Sequence, residues 1–334
     1  KRSPVAQFAI RTPYYVLTMG LAVIFLYPLL WTAIKSFAPQ GGSIGQPKGW
    51  GPGNYKTLLN YQDGIWVYLK NSLIITILCV VITLFLATLG GYAFARFSFP
   101  GKNILFLLVL AILMVPYATL LLPLIIWLKS FPLGIVAGIL VALGVVIALV
   151  RLAKLRQAWL VVLGALVGAG LVGLAVWGLW QYRLSGANAV MGGKAGVAIV
   201  LAVFQLPFAV FMMRISFEAI PKEIEEAALI DGCGSFGALV RIMLYAVKPG
   251  LITVGIFALL AAWNDFMVPL FLLNSGVNSP MPLAMVNMRQ QVMGTVDYGV
   301  TEAGVVFLTV PCVILFLALQ RHYVRGFMSG ALKG

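Results

Sequence analysis

Five of the nine acidic residues in the chain fall between Phe217 and Gly250, namely Glu218, Glu223, Glu225, Glu226 and Asp231. Carboxylates gathered this way offer charge-assisted hydrogen bonds to a basic group, and Gly232 beside them permits a tight turn. Apolar stretches flank the segment on both sides, so whatever reads it stands outside a bilayer. A second constellation is Trp263-Asn264-Asp265, with Gln205 and Trp127 as further candidates. Aromatic faces suit the C–H surfaces of a sugar, while amides and carboxylates suit its hydroxyls. An ionisable group at the depth of Asp265 is costly unless it faces a cavity or a partner. Asp265 therefore serves either function or the bundle itself, through hydrogen bonds to a neighbouring helix or backbone. Trp127 and Trp66 are equally suited to anchoring at the membrane interface.

Several chemistries are missing. Lys194 follows Gly192-Gly193 but precedes Ala195, and Lys102 follows Gly101 but precedes Asn103, so no phosphate-cradling loop of the G-x4-G-K-[ST] type is formed. With one histidine, His322, neither a zinc site nor a histidine-based triad can be built within the chain. The expectation is a non-catalytic chain with no cofactor or metal of its own.

The elements that must hold the acidic residues are two short helices at a glycine turn. Pro221 suits a first helical position, and Glu223, Glu225 and Glu226 lie where the helix dipole favours negative charge. Gly232 is placed to leave that helix left-handed, and Ser235 to cap the next. Ile220, Ile224, Ala227 and Ala228 share one face by three- and four-residue spacing, leaving Lys222, Glu223, Glu226 and Asp231 towards water or a partner.

Around this island the composition is that of a polytopic helical membrane protein: 62% hydrophobic, 10% charged, mean hydropathy +1.02. Those values exclude an ordinary soluble domain. The net charge of +14 does not indicate nucleic acid, because the basic residues stand singly at the ends of apolar runs, which is the distribution that orients spans. Cys79, Cys233 and Cys312 give no disulfide framework. The first apolar run is too long for the core of a signal peptide and reads as a retained span.

Six core spans are expected, at about 14–37, 67–94, 102–127, 196–213, 251–273 and 300–319, each near the roughly 20 residues a bilayer core needs. Between the third and fourth, residues 132–183 hold two more apolar runs, Pro132–Val150 and Ala158–Trp180, joined by a basic link with Arg151, Lys154 and Arg156. With that link and both termini cytoplasmic, 15 of the Lys and Arg residues lie inside and 8 outside; with the link outside, the split is 12 against 11 and the bias vanishes. Eight spans are therefore expected, the two additional ones forming an inserted hairpin. Gly134-x3-Gly138 and Gly164-x3-Gly168 in the insert either let helices approach closely or belong to a peripheral hairpin. Pro28, Pro116, Pro123, Pro207, Pro269 and Pro311 lie inside apolar runs, where proline kinks a helix.

A family resemblance rests on Glu226-Ala227-Ala228, three residues, Gly232, nine residues, then Ile242-Met243-Leu244. This spacing resembles the EAA loop of the membrane subunits of bacterial ABC importers, with Tyr245 where that pattern has proline. Asn71-Ser72, Tyr92-Ala93-Phe94-Ala95-Arg96, Met114-Val115-Pro116, Trp263-Asn264-Asp265 and the terminal Gly330-Ala331-Leu332-Lys333-Gly334 are similar to the carbohydrate-type permeases, the MalG-like half in particular. The resemblance covers about 1–130 and 195–334 and stops at the insert. It implies an all-α transmembrane domain of the type I ABC importers, one permease domain over 1–334 with residues 217–250 as its cytoplasmic coupling loop, in a prokaryotic inner membrane. It implies as partners a second permease subunit, two ATPase subunits that bind ATP and Mg, an extracytoplasmic solute-binding protein and a carbohydrate substrate. Glu225, Glu226, Ala227, Ala228, Asp231, Gly232, Lys333 and Gly334 would then meet the ATPases, and Gln205, Trp263, Asn264 and Asp265 would line the substrate path. The competing class is a secondary transporter or channel with Asp265 and Glu302 as ion-coupling carboxylates, which leaves the acidic island without a purpose.

Overall fold

The computed structural model describes residues 4–39, 49–130, 193–273, 276–291 and 298–331, all of it helix, turn or loop with no strand among the described residues. The helices are α1 (Pro4–Lys35), α2 (Gly53–Leu59), α3 (Ile65–Arg96), α4 (Lys102–Ile112), α5 (Tyr117–Ser130), α6 (Lys194–Glu218), α7 (Lys222–Ile230), α8 (Ser235–Ala246), α9 (Lys248–Asn264), α10 (Met267–Leu272), α11 (Met281–Gln291) and α12 (Tyr298–Ala331). Four of these are long and apolar enough to cross a membrane, at Thr12–Lys35, Ile65–Arg96, Lys194–Glu218 and Tyr298–Leu315. Two bent pairs, α4 with α5 at 100° and α8 with α9 at 79°, raise the number to six if each pair is one span. The inserted hairpin expected over 132–183 lies outside the described residues.

Two of the expected spans are interrupted, for local chemical reasons. Pro116 has no N–H and disfavours helical geometry at Val115, and the chain breaks between Ile112 and Tyr117. The run expected at 251–273 stops at Asn264: Asp265 is extended (φ −74°, ψ 131°) and its Oδ1 accepts the N–H of Val268, capping α10. Asp265 thus occupies a helix break and not the middle of a continuous helix.

The chain divides into two compact units. One comprises residues 1–72 and 279–321. Its core gathers Leu58, Ile65, Tyr68, Met281, Met285, Met288 and Val300. Here the Asn71-Ser72 pair acquires a structural reason: Asn71 Nδ2 donates to Ser279 O at 2.9 Å, and Ser72 Oγ accepts the Met281 N–H at 2.8 Å, which fixes the start of α11. Gly299 is held to glycine by Asn54, whose Nδ2 would lie 2.3 Å from an added Cβ.

The other unit comprises residues 73–278 and 322–334. It holds two apolar clusters. One packs Ile75 and Cys79 of α3 against Leu121 of α5, Val197, Ala198, Val200, Leu201 and Ala202 of α6, and Val268 and Leu272 of α10. The other packs Ala87, Tyr92 and Phe94 of α3 against Val210, Met213 and Phe217 of α6 and Leu239 and Met243 of α8. α3 and α6 approach so closely at Gly91 that a Cβ there would meet the Met213 Cβ at 2.5 Å.

Candidate functional site

The acidic segment folds as the two-helix turn its sequence indicates. Pro221 precedes α7 as its N-cap, one position earlier than expected, and Glu223 and Glu225 occupy the first turn. At the other end Gly232 is left-handed (φ 84°), its N–H donates to Leu229 O and the Cys233 N–H to Ala228 O. This is a Schellman turn, which satisfies the last carbonyls of α7 and aims the chain into α8. α8 is preceded by Gly234, and Ser235 makes no side-chain cap; a π turn at Leu239–Met243 interrupts it.

Which faces are covered differs in part from the expectation. Ala228 is buried and Ile220 packs on the core beneath, but Ala227 and Ile224 are exposed. Glu226, Asp231 and Gly232 are exposed as well. The same two helices also expose large apolar side chains: Ile230 is 86%, Tyr245 78% and Phe236 71% exposed. An exterior that mixes such groups with carboxylates has the composition of a surface awaiting a partner. Glu225 departs from its neighbours. It turns inward onto Arg96, with Nε to Oε2 at 3.0 Å, and its Oε1 accepts the hydroxyl of Tyr92. Lys333 and Gly334 lie outside the described residues.

The second constellation forms around the two helix breaks. Residues 112–117, Leu201, Phe204, Gln205, Pro207, Ala261 and Asp265 line a cavity of about 510 Å³. Tyr117 Oη donates to Asp265 Oδ2 at 2.6 Å, and the Tyr117 ring meets Phe204 edge-on at 4.7 Å. The cavity therefore carries a tyrosine, a carboxylate and an amide on otherwise apolar walls, a balance suited to a hydroxyl-bearing ligand. Of the four residues expected along a substrate path, Gln205 and Asp265 come together here. Trp263 is buried and Asn264 turns its amide back to Leu260 O at 2.8 Å, and neither lines this cavity. Trp127 backbone belongs to α5, without a described side chain.

Tyr117 and the Tyr92–Arg96 pair belong to these two constellations without having been assigned to them from sequence. A signal for the second was present, since Tyr92 and Arg96 are four apart on one helix face and belong to a motif already singled out. Tyr117 had only its place after Pro116.

Comparison with known proteins converges on one group. The model of the binding-protein-dependent transport system inner membrane component family matches residues 85–328. The chain is 29% identical over 327 residues to the probable ABC transporter permease protein YurM of Bacillus subtilis (strain 168), covering 97% of this chain and 89% of that protein. It is 29% identical over 330 residues to the arabinooligosaccharides transport system permease protein AraQ of Halalkalibacterium halodurans, covering 96% of each. With the trehalose/maltose transport system permease protein MalG of Thermococcus litoralis it shares 26% identity over 322 residues, 94% of each chain. Among solved structures, a chain of a bacterial ABC transporter involved in the import of the acidic polysaccharide alginate superposes with a TM-score of 0.63 at 16% identity, covering 96% of this chain and 98% of that one. That likeness concerns the fold.

Proposed function

The chain belongs to the binding-protein-dependent transport system inner membrane components, and from that premise we propose that it is the permease subunit of an ATP-driven importer for a sugar, an oligosaccharide or a related polyol. The observation that carries the reading is the exposed surface of α7 and α8, which presents Glu226, Asp231 and Gly232 as well as Ile230, Phe236 and Tyr245. Such a surface fits a docked ATPase subunit and has no use in a transporter driven by an ion gradient alone.

In this reading two ATPase subunits bind ATP and Mg, a second permease completes the pathway, and an extracytoplasmic binding protein delivers the substrate. Both termini and the 217–250 segment face the cytoplasm of a prokaryotic cell. Closure of the ATPase dimer displaces the α7–α8 hairpin as a rigid knuckle, and the spans switch access across the bilayer. Ala227 and Ala228 keep the knuckle slim, and Lys333 and Gly334 reach towards the ATPases. Gln205, Asp265 and Tyr117 offer hydrogen bonds to substrate hydroxyls, with Trp263 and Asn264 supporting the break behind them. The sugar and oligosaccharide names of AraQ and MalG support this choice of cargo.

The test is to affinity-purify the chain from its native membrane and to reconstitute what accompanies it. The expected result is co-purification of an ATPase subunit and carbohydrate uptake that requires both ATP and the binding protein. Uptake driven by an ion gradient, with no ATPase associated, would overturn the reading.

A further inference from the structure

Glu225 lies in the middle of the acidic run, yet it is the one carboxylate of α7 that faces the protein: its side chain is 13% exposed and that of Arg96 6%. Both of its oxygens are engaged from a single turn of α3. Oε1 accepts from Tyr92 Oη, and Oε2 meets Arg96 Nε at 3.0 Å, off the N–H axis, so that this contact is electrostatic and not an aligned hydrogen bond. Arg96 also donates from Nη2 to Ile220 O at 2.9 Å, in the link that leads from α6 into α7. The Tyr92 ring is itself held edge-on by Phe217 at 5.4 Å and by Phe97 at 5.6 Å. α7 is thus tied to the end of α3 by directional polar contacts. Replacing a buried ion pair with apolar groups is often neutral for stability, so its presence asks for another reason, and fixing one geometry is the best attested.

We propose that Tyr92, Arg96 and Glu225 form a joint that carries displacement of α7 into α3. They are positioning residues for coupling, and Glu225 fastens the knuckle where Glu226 and Asp231 face the ATPase. The proposal rests on the permease reading above. Without the joint, α7 would follow the ATPase while α3 lagged, so ATP would be hydrolysed without transport.

The experiment uses the full complex in proteoliposomes and reads substrate taken up per ATP hydrolysed, alongside recovery of the ATPase subunits. Glu225→Gln and Arg96→Gln are each expected to lower that ratio at least fivefold while the complex stays assembled. The double variant should be no worse than the worse single, because one joint can be lost only once. Tyr92→Phe, which keeps the ring packing, should lower the ratio at least twofold and decides the matter if either glutamine variant fails to assemble. An unchanged ratio in Tyr92→Phe and both glutamine variants, or multiplying effects in the double variant, would overturn the joint. Loss of ATPase recovery in Glu225→Gln with Arg96→Gln and Tyr92→Phe unaffected would show Glu225 to be a docking contact instead. If the unaltered complex neither binds an ATPase nor transports, the permease reading itself has failed.

Discussion

Gly91 is where the packing of the α3–α6 pair can be tested most sharply. A Cβ added there would lie 2.5 Å from the Met213 Cβ and 2.9 Å from both Met213 C and Arg214 N. Ordinary contact begins near 3.4 Å, so α6 would have to retreat by about 0.9 Å, and a rotamer change can move none of the three atoms, two being backbone and the third a Cβ fixed by it. Overpacking of this kind costs roughly 1–3 kcal/mol. The higher helix propensity of alanine returns about 1 kcal/mol. Taking the upper end for a backbone clash, Gly91→Ala should destabilise by about 2 kcal/mol, on the order of a 30-fold shift in the folding equilibrium. Gly90 is the control: its added Cβ would meet only the Val210 methyls, at 3.2 and 3.6 Å. Gly90→Ala should be neutral or stabilising by up to about 1 kcal/mol. The assay is SDS-induced unfolding from mild detergent micelles, followed by tryptophan fluorescence. If Gly91→Ala matches the unaltered protein, or if Gly90→Ala is the more damaging of the two, close approach of α3 and α6 at this point is refuted.

Gly232→Val should abolish transport while ATPase activity persists, because a β-branched residue resists the left-handed φ of 84° that turns α7 into α8, although nothing crowds the position; normal uptake would remove this turn from the coupling mechanism. Tyr117→Phe should weaken substrate uptake, visible as a raised KM, and cost about 1 kcal/mol of stability through the lost Asp265 hydrogen bond; an unchanged KM would take this pair out of the substrate path. A cysteine placed at Gln157, in a variant lacking the three native cysteines, should react only with membrane-permeant reagents, since each flanking run of the insert is long enough at about 1.5 Å per residue to span a core of roughly 30 Å. Its modification by an impermeant reagent in intact cells would overturn the eight-span arrangement.

What could be read in advance follows from the range of the forces involved. The spans and the α7–α8 turn are set by hydrophobicity over about 20 residues and by proline, glycine and acidic placement within a turn, all of which are local. Breaks are harder. Pro116 announced a kink, but Asp265 lies just past the end of α9 and caps α10 through its bond to Val268, and an aspartate in an apolar run reads equally as cap, ligand or buried partner. Asp265 turns out to cap a helix, accept from Tyr117 and line a cavity at once, so the alternatives open in the sequence were never exclusive.

Glu225 shows the limit from the other side. In sequence it falls outside the outward-facing set that holds Glu223 and Glu226, yet the family resemblance groups it with Glu226 as an ATPase contact, because helical spacing assigns a face but does not say what a distant element brings to it. Only the arrival of Tyr92 and Arg96, 133 residues away along the chain for the tyrosine, separates a fastening carboxylate from its exposed neighbours. Ile224 makes the complementary point, since spacing places it on the apolar face and yet it is 43% exposed. The apolar stripe of α7 is therefore divided between two surfaces. Ala228 serves the fold, Ile224 and Ala227 stand exposed, and a helix read as having one buried face has to be understood as a wedge.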